Sequence, residues 1–121
     1  MVECVKQRVR EAHAERGVCG EALVSARVTQ LYEDGACVYF YYIMDSSGLK
    51  DGNRTFSEIE EIARGTILEN GGNLSHHHGV GKHRAKFVKE RVGGSVVDVM
   101  RGVKKEIDGD NVFGVRNGVF E

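Results

Sequence analysis

Val2, Val5, Val9 and Ala12 recur at helical spacing with charged residues between them, and Gly17 stands where such a helix would end. Residues 22 to 30 alternate as a strand does, with Leu23, Ser25, Arg27 and Thr29 on one face and Val24, Ala26 and Val28 on the other. Asp34-Gly35 signals a turn. Ala36-Cys37-Val38-Tyr39-Phe40-Tyr41-Tyr42-Ile43-Met44, aromatic and β-branched, is the strongest strand in the chain and completes an antiparallel hairpin. A polar loop spans Asp45 to Asn53. The pattern then predicts a helix capped by Thr55 or Ser57, with Glu58, Glu60 and Glu61 in its first turns. Phe56, Ile59, Ile62, Ala63, Thr66 and Ile67 give that helix an apolar face, and Asn70-Gly71-Gly72 ends it. Residues 73 to 82 follow neither period, and the stretch after them is ill defined. Val96, Val99, Met100, Val103 and Ile107 mark a last amphipathic helix, and the tail from Asp110 to Asn117 is irregular.

These elements predict an α+β fold, an antiparallel hairpin with flanking helices. A lone hairpin is marginal and leaves backbone groups unpaired at both edges, so the sheet is expected to continue with strands from elsewhere. Residues 1–121 then form part of a domain rather than all of one. An apolar fraction of 40% and a charged fraction of 29% belong to a globular chain rather than a disordered one. A formal net charge of -1 gives no electrostatic argument for nucleic acid as partner. Cys4, Cys19 and Cys37 are odd in number and lack metal-like spacing, so reduced thiols are expected. The longest apolar run is too short to span a bilayer as a helix. Met1 to Lys6 has no hydrophobic core of a signal peptide, and Val119-Phe120-Glu121 does not match the Ser-Lys-Leu address.

The chemistry concentrates in Ser75-His76-His77-His78-Gly79-Val80-Gly81-Lys82, three adjacent imidazoles between glycines that let the backbone turn tightly. A solvated loop is the bland reading, and three readings compete with it. A metal site ranks low: consecutive residues cannot all point at one ion, and no Cys or carboxylate cluster completes a set. A phosphate cradle at Gly79-Val80-Gly81-Lys82 departs from the nucleotide loop pattern at His76 and His83. Acid–base or electrostatic work on a bound cofactor and substrate fits best, because histidine exchanges protons near neutrality.

Asn70-Gly71-Gly72-Asn73-Leu74-Ser75-His76-His77-His78-Gly79-Val80-Gly81-Lys82 is similar, almost residue for residue, to the triple-histidine motif of alkylglycerone-phosphate synthases. The likeness runs through Arg27-Val28-Thr29-Gln30, Gly35-Ala36-Cys37-Val38-Tyr39-Phe40-Tyr41, Asn111-Val112-Phe113-Gly114 and Arg116-Asn117, in the same order. His78-Gly79-Val80-Gly81 also matches the looser His-Gly-x-Gly signature of the wider vanillyl-alcohol-oxidase-like flavoproteins.

The resemblance implies ether-lipid biosynthesis. The acyl chain of acyl-glycerone phosphate is exchanged for a fatty alcohol through a covalent adduct at N5 of FAD, without net redox change. It puts the catalytic acid/base on Tyr39 and activity-requiring histidines on His76, His77 and His78. Arg116 and Asn117 fall in a functionally important tail and are expected cofactor contacts. Tyr39 and Tyr41 share a strand face, which suits a hydroxyl presented from a rigid support. Without the resemblance Tyr39 reads as a core aromatic with a satisfied hydroxyl. Arg27, on a strand face expected to meet a core, reads as an ion-pair or ligand contact.

The resemblance further implies an upstream FAD-binding domain, which this chain lacks, so that the chain alone neither holds FAD tightly nor turns over. It also implies a peroxisomal setting, membrane-surface association and a homodimer in the full enzyme. Gly109 replaces the usual proline after Asp108 and is expected to loosen that turn, and the apolar ending is replaced by Gly118-Val119-Phe120-Glu121. Rival readings are a segment of a flavin-linked 2-hydroxy-acid dehydrogenase, whose loop usually has a Glu-His pair where this chain has His77-His78, and a non-catalytic remnant or interaction domain.

Overall fold

The structure, a computed structural model, describes residues 1–120. In chain order it runs α1 (Val2–Glu15), β1 (Cys19–Leu31), β2 (Ala36–Asp45), α2 (Gly52–Glu69), α3 (Ala85–Val92) and α4 (Gly94–Ile107). The α+β arrangement matches the expectation from sequence. The described residues fall into two compact units, 1–73 and 74–120.

In the first unit β1 and β2 form a two-stranded antiparallel sheet, with Leu23 opposite Ile43, Ser25 opposite Tyr41 and Arg27 opposite Tyr39. A register shift between Val28 and Gln30 leaves Thr29 without an opposite residue, so Thr29 does not continue the face of Leu23, Ser25 and Arg27 as the alternation predicted. Its hydroxyl donates to the Cys37 carbonyl. One face of the sheet is covered. Val24, Phe40, Tyr42 and Met44 pack against a core of Val5, Val9, Ala12, Val18 and Ile59 supplied mainly by α1 and α2. Arg27 was expected to meet such a core, yet its side of the sheet is the uncovered one, and Arg27 is exposed.

Both helix ends that glycine was expected to set are Schellman motifs. Gly17 lies at φ 63°, with its N–H donating to Ala14 and that of Val18 to His13. Gly71 lies at φ 78°, with matching bonds from Gly71 to Leu68 and from Gly72 to Ile67. The start of α2 differs from expectation. Asp51, not Thr55 or Ser57, is the cap, its carboxylate accepting from the Arg54 N–H at 2.9 Å. Aspartate is among the strongest caps, while the Thr55 hydroxyl bonds back to the Asp51 carbonyl. Glu58, Glu60 and Glu61 therefore lie beyond the first turn. Glu58 accepts from Arg54 of its own helix and from Arg16 at the end of α1, and these hydrogen bonds hold its carboxyl below the usual range.

His13 is 3% exposed and links α1 to both strands. Its Nε2 lies 3.1 Å from the Gly20 carbonyl, which only accepts, so Nε2 carries the proton. Its Nδ1 is hydrogen-bonded to the Tyr42 hydroxyl over 2.9 Å. Tyr42 stacks on Phe56 at 5.5 Å, and burial pushes its phenol up, against the opposing charge of Arg16.

In the second unit α3 occupies the stretch that had no clear pattern. Val88 of α3, Val97 of α4 and Val119 form a small core with Leu74, Val80 and Phe120 against it. The predicted helix 96–107 is present, but its apolar stripe is open. Val99 is 66% and Ile107 82% exposed, while the buried residue is Val97, off the stripe. The turn after Asp108, which contains Gly109, is bridged by the Asp108 side chain. The Asp108 carboxylate accepts from the N–H groups of Val112 and Phe113, each at 2.9 Å, and pairs with Lys104. The Lys104 hydrogen bond foremost, then those two N–H groups, hold its carboxyl at about 2.

Replacing His13 with Ala removes a buried ring and leaves the half-buried Tyr42 hydroxyl without that partner, and should destabilise the first unit by about 1–3 kcal/mol, measured by urea unfolding. Asp108 has a depressed pKa, so its contribution is present above the ordinary carboxylate value and fades as pH falls through about 2. Amide exchange should show Val112 and Phe113 protected at neutral pH and released between roughly pH 4 and 2, or at neutral pH in Asp108→Asn.

Candidate active site

On the uncovered side of the hairpin, Tyr39 is half-buried and meets Tyr41 edge-on at 6.4 Å between ring centroids. The alternation that buries Phe40 and Tyr42 turns both rings this way. The Arg27 guanidinium lies 5.7 Å from the Tyr41 ring centroid, within cation–π range.

In the second unit the histidines ride on a loop pinned at both ends. Leu74 before them and Val80 after them pack against Val88, Val97 and Val119. Arg84, at the start of α3, donates to the carbonyls of Leu74 and Gly79 at 3.2 and 3.4 Å and so straps the two ends together. Gly79 at φ 70° and Gly81 at φ 53° make the exit turn in the left-handed region. The His78 N–H donates to the Ser75 hydroxyl at 3.1 Å.

Between those anchors all three imidazoles are exposed. His76 and His77 ring centroids are 4.9 Å apart, those of His77 and His78 4.0 Å apart. The Nδ1 atoms of His76 and His77 approach to 2.7 Å. Such a contact holds one proton between two nitrogens, because two N–H groups cannot face each other there. Desolvation, and then the neighbouring His78 and His76, hold His77 below the usual histidine range. The arrangement suits taking up and passing on a single proton. No group of three or more His, Cys, Asp or Glu able to hold a metal ion occurs among the described residues.

Arg116 and Asn117 lie in the same unit, on a turn closed by the Asn117 N–H donating to Gly114 at 3.0 Å. Arg116 takes φ 55°, and both side chains are exposed. They present a guanidinium and a carboxamide to solvent.

Sequence reasoning thus singled out Tyr39, His76, His77, His78, Arg116 and Asn117, and the structure brings the histidines into one cluster and Tyr39 beside Arg27 and Tyr41. It missed Arg84 as the strap of the loop and His13 as the buried link between α1 and the sheet. Arg84 had a readable signal, a basic residue just after a glycine-rich loop whose carbonyls need donors.

Comparison with known proteins follows the same lines. The chain is 39% identical over 113 residues to an alkyldihydroxyacetonephosphate synthase of Caenorhabditis elegans, which covers 93% of this chain and 19% of that protein. It is 31% identical over 110 residues to the protein of that name from Trypanosoma brucei brucei, covering 89% and 17%. With the one from Dictyostelium discoideum it shares 28% over 95 residues, covering 78% and 15%. The chain spans less than a fifth of the length of these curated relatives. Residues 1–116 match the family described as FAD linked oxidases, C-terminal domain, and the chain belongs to that family.

Proposed function

We propose that this chain is the substrate-side part of an ether-lipid-forming flavoenzyme that exchanges the acyl chain of acyl-glycerone phosphate for a fatty alcohol. The observation that carries this reading is the strapped loop with its shared-proton histidine pair, in a chain whose relatives bear the name alkyldihydroxyacetonephosphate synthase. The exchange needs groups that move protons: the incoming alcohol must lose one to become nucleophilic, and the departing acyl oxygen must be stabilised. His76 and His77 hold one proton between them, and desolvation with the neighbouring histidines keeps His77 below the usual histidine range, which suits a base near neutrality. Tyr39 acts as the acid/base hydroxyl, presented from a rigid strand whose other side is anchored in the core. Arg84 keeps the loop in shape without touching substrate. Arg116 and Asn117 would contact FAD, which when bound supplies the reactive centre for the exchange. The greater part of its binding site belongs to a FAD-binding domain outside this chain. An open apolar stripe on α4 and the small share of each relative's length support a place in a larger protein.

The test is a hybrid in which this chain replaces the matching segment of the C. elegans protein, assayed for incorporation of labelled fatty alcohol into ether product. Tyr39→Phe and His77→Ala should each lower turnover by roughly 100-fold or more. A hybrid that oxidises 2-hydroxy acids and incorporates no alcohol would overturn the reading. For the isolated chain, ring nitrogen shifts should show His77 losing its proton below the usual histidine range, and His78→Ala should move it up by removing a neighbouring charge.

A further inference from the structure

The uncovered face of the hairpin has a polarity that the acid/base role of Tyr39 does not use. Three cross-strand pairs succeed one another along it: Leu23 with Ile43, Ser25 with Tyr41, and Arg27 with Tyr39. At one end Leu23 and Ile43 are each 64% exposed. At the other stands one guanidinium. No carboxylate occurs in these pairs, and among the described residues Arg27 makes no ion pair with one. Asp45, farther along β2 and paired with Cys19, has its carboxylate engaged by the Ser47 N–H. A cation on an aromatic ring, with an exposed Leu23–Ile43 pair two rungs along the same face and no carboxylate paired with it, is an arrangement that an anionic partner completes. The contact with Tyr41 engages the guanidinium electrostatically and consumes none of its five N–H donors.

We infer that this face binds the carboxylate of a long-chain fatty acid, with Arg27 taking the head group and the Leu23–Ile43 pair taking the hydrocarbon. The Arg27 and Leu23 positions are four residues apart, roughly 13 Å along an extended strand, so head and chain lie on one straight track. A carboxylate is preferred to a phosphate for two reasons. One guanidinium matches one negative charge and grips two oxygens side by side, whereas a phosphate monoester carries nearly two charges and this face offers no second cation. In a fatty carboxylate the methylenes also begin at the head group, as the continuity of the ladder requires. The inference rests on the proposed exchange, whose departing group is such a carboxylate. It makes Arg27 the residue that receives that group beside Tyr39.

The experiment is an NMR titration of the full chain with octanoate, octyl phosphate and octanol, each below its micellar concentration. It needs no flavin and no turnover, so its failure is separable from failure of the exchange assay. Octanoate should shift the Arg27 Nε signal and the Leu23 and Ile43 methyl signals together, with one dissociation constant. Arg27→Met should weaken octanoate at least tenfold and leave octanol unchanged, and Arg27→Lys should recover only part of the loss. Unaltered methyl shifts of Val5 and Ile59 in both variants establish that the unit still folds. Tighter binding of octyl phosphate than of octanoate would reassign the face to phosphate and overturn the inference. Equal binding of octanol and octanoate, or an Arg27 signal that none of the three moves, would overturn it as well.

Discussion

A strand sends successive side chains to opposite faces, so burying Phe40, Tyr42 and Met44 under α1 and α2 obliges Tyr39, Tyr41 and Ile43 to face the other way. The rest of the first unit follows from that constraint. Burial on one side supplies the stabilisation, from Val5, Val9, Ala12 and Ile59 closing on the sheet, and the same burial makes the opposite side rigid without covering it. His13 reinforces the arrangement at its weakest place, where a polar group lies under the sheet. Its two ring nitrogens satisfy the Gly20 carbonyl and the Tyr42 hydroxyl, one on each strand, and thereby hold the hairpin to α1. A slip of one residue would turn Tyr39 into the core, so the buried hydroxyl of Tyr42 specifies register as well as adding stability.

The second unit solves a different problem with less material. Its core is small, and its loop must carry three polar rings into solvent. Two apolar residues, Leu74 and Val80, fix where the loop leaves and rejoins the core, and Arg84 satisfies carbonyls that the irregular backbone would otherwise leave bare. Rigid ends permit close contact between neighbours: His76 and His77 share a proton at a distance that a freely moving loop would not hold. Asp108 does for the tail what Arg84 does for the loop, gathering two N–H groups and a lysine about one carboxylate. Charged side chains bonded to backbone thus replace secondary structure where the chain must be irregular.

How much of this was legible depends on the range of the interaction. Periodicity showed α1, the hairpin, α2 and α4, and the glycines marked the ends of α1 and α2, because these features are local. The histidine cluster was legible from its sequence alone. Helix α3 was not, since its buried residues Phe87 and Val88 are adjacent and make less than one helical period. His13 reads as one more polar residue of an amphipathic helix, because Tyr42, its partner, lies 29 positions away. Thr55 or Ser57 was expected as the cap because the helix was placed to start after the polar loop that contains Asp51, the cap observed. Arg27 shows the other limit. Alternation correctly paired it with Leu23 and Ser25, but a pattern tells which residues share a face and not whether anything covers it.

That same limit gives the open stripe of α4 its meaning. Val96, Val99, Met100, Val103 and Ile107 keep helical period, as selection for burial produces, yet all five are exposed. Propensity does not require such a stripe, because an isolated helix is stabilised by good helix formers and surface ion pairs, and valine is a middling helix former. Single exposed hydrophobes are ordinary, whereas several in register on one face of one helix are the mark of an interface. The stripe and the uncovered side of the hairpin differ in kind. One is uniformly apolar, suited to a packed protein surface. The other mixes a guanidinium, phenols and hydrocarbon in order along a strand, suited to a ligand with a head and a tail. Under the proposed function a domain both joins a larger protein and presents a reactive face, and two surfaces of different kind, each on its own element, suit those two tasks.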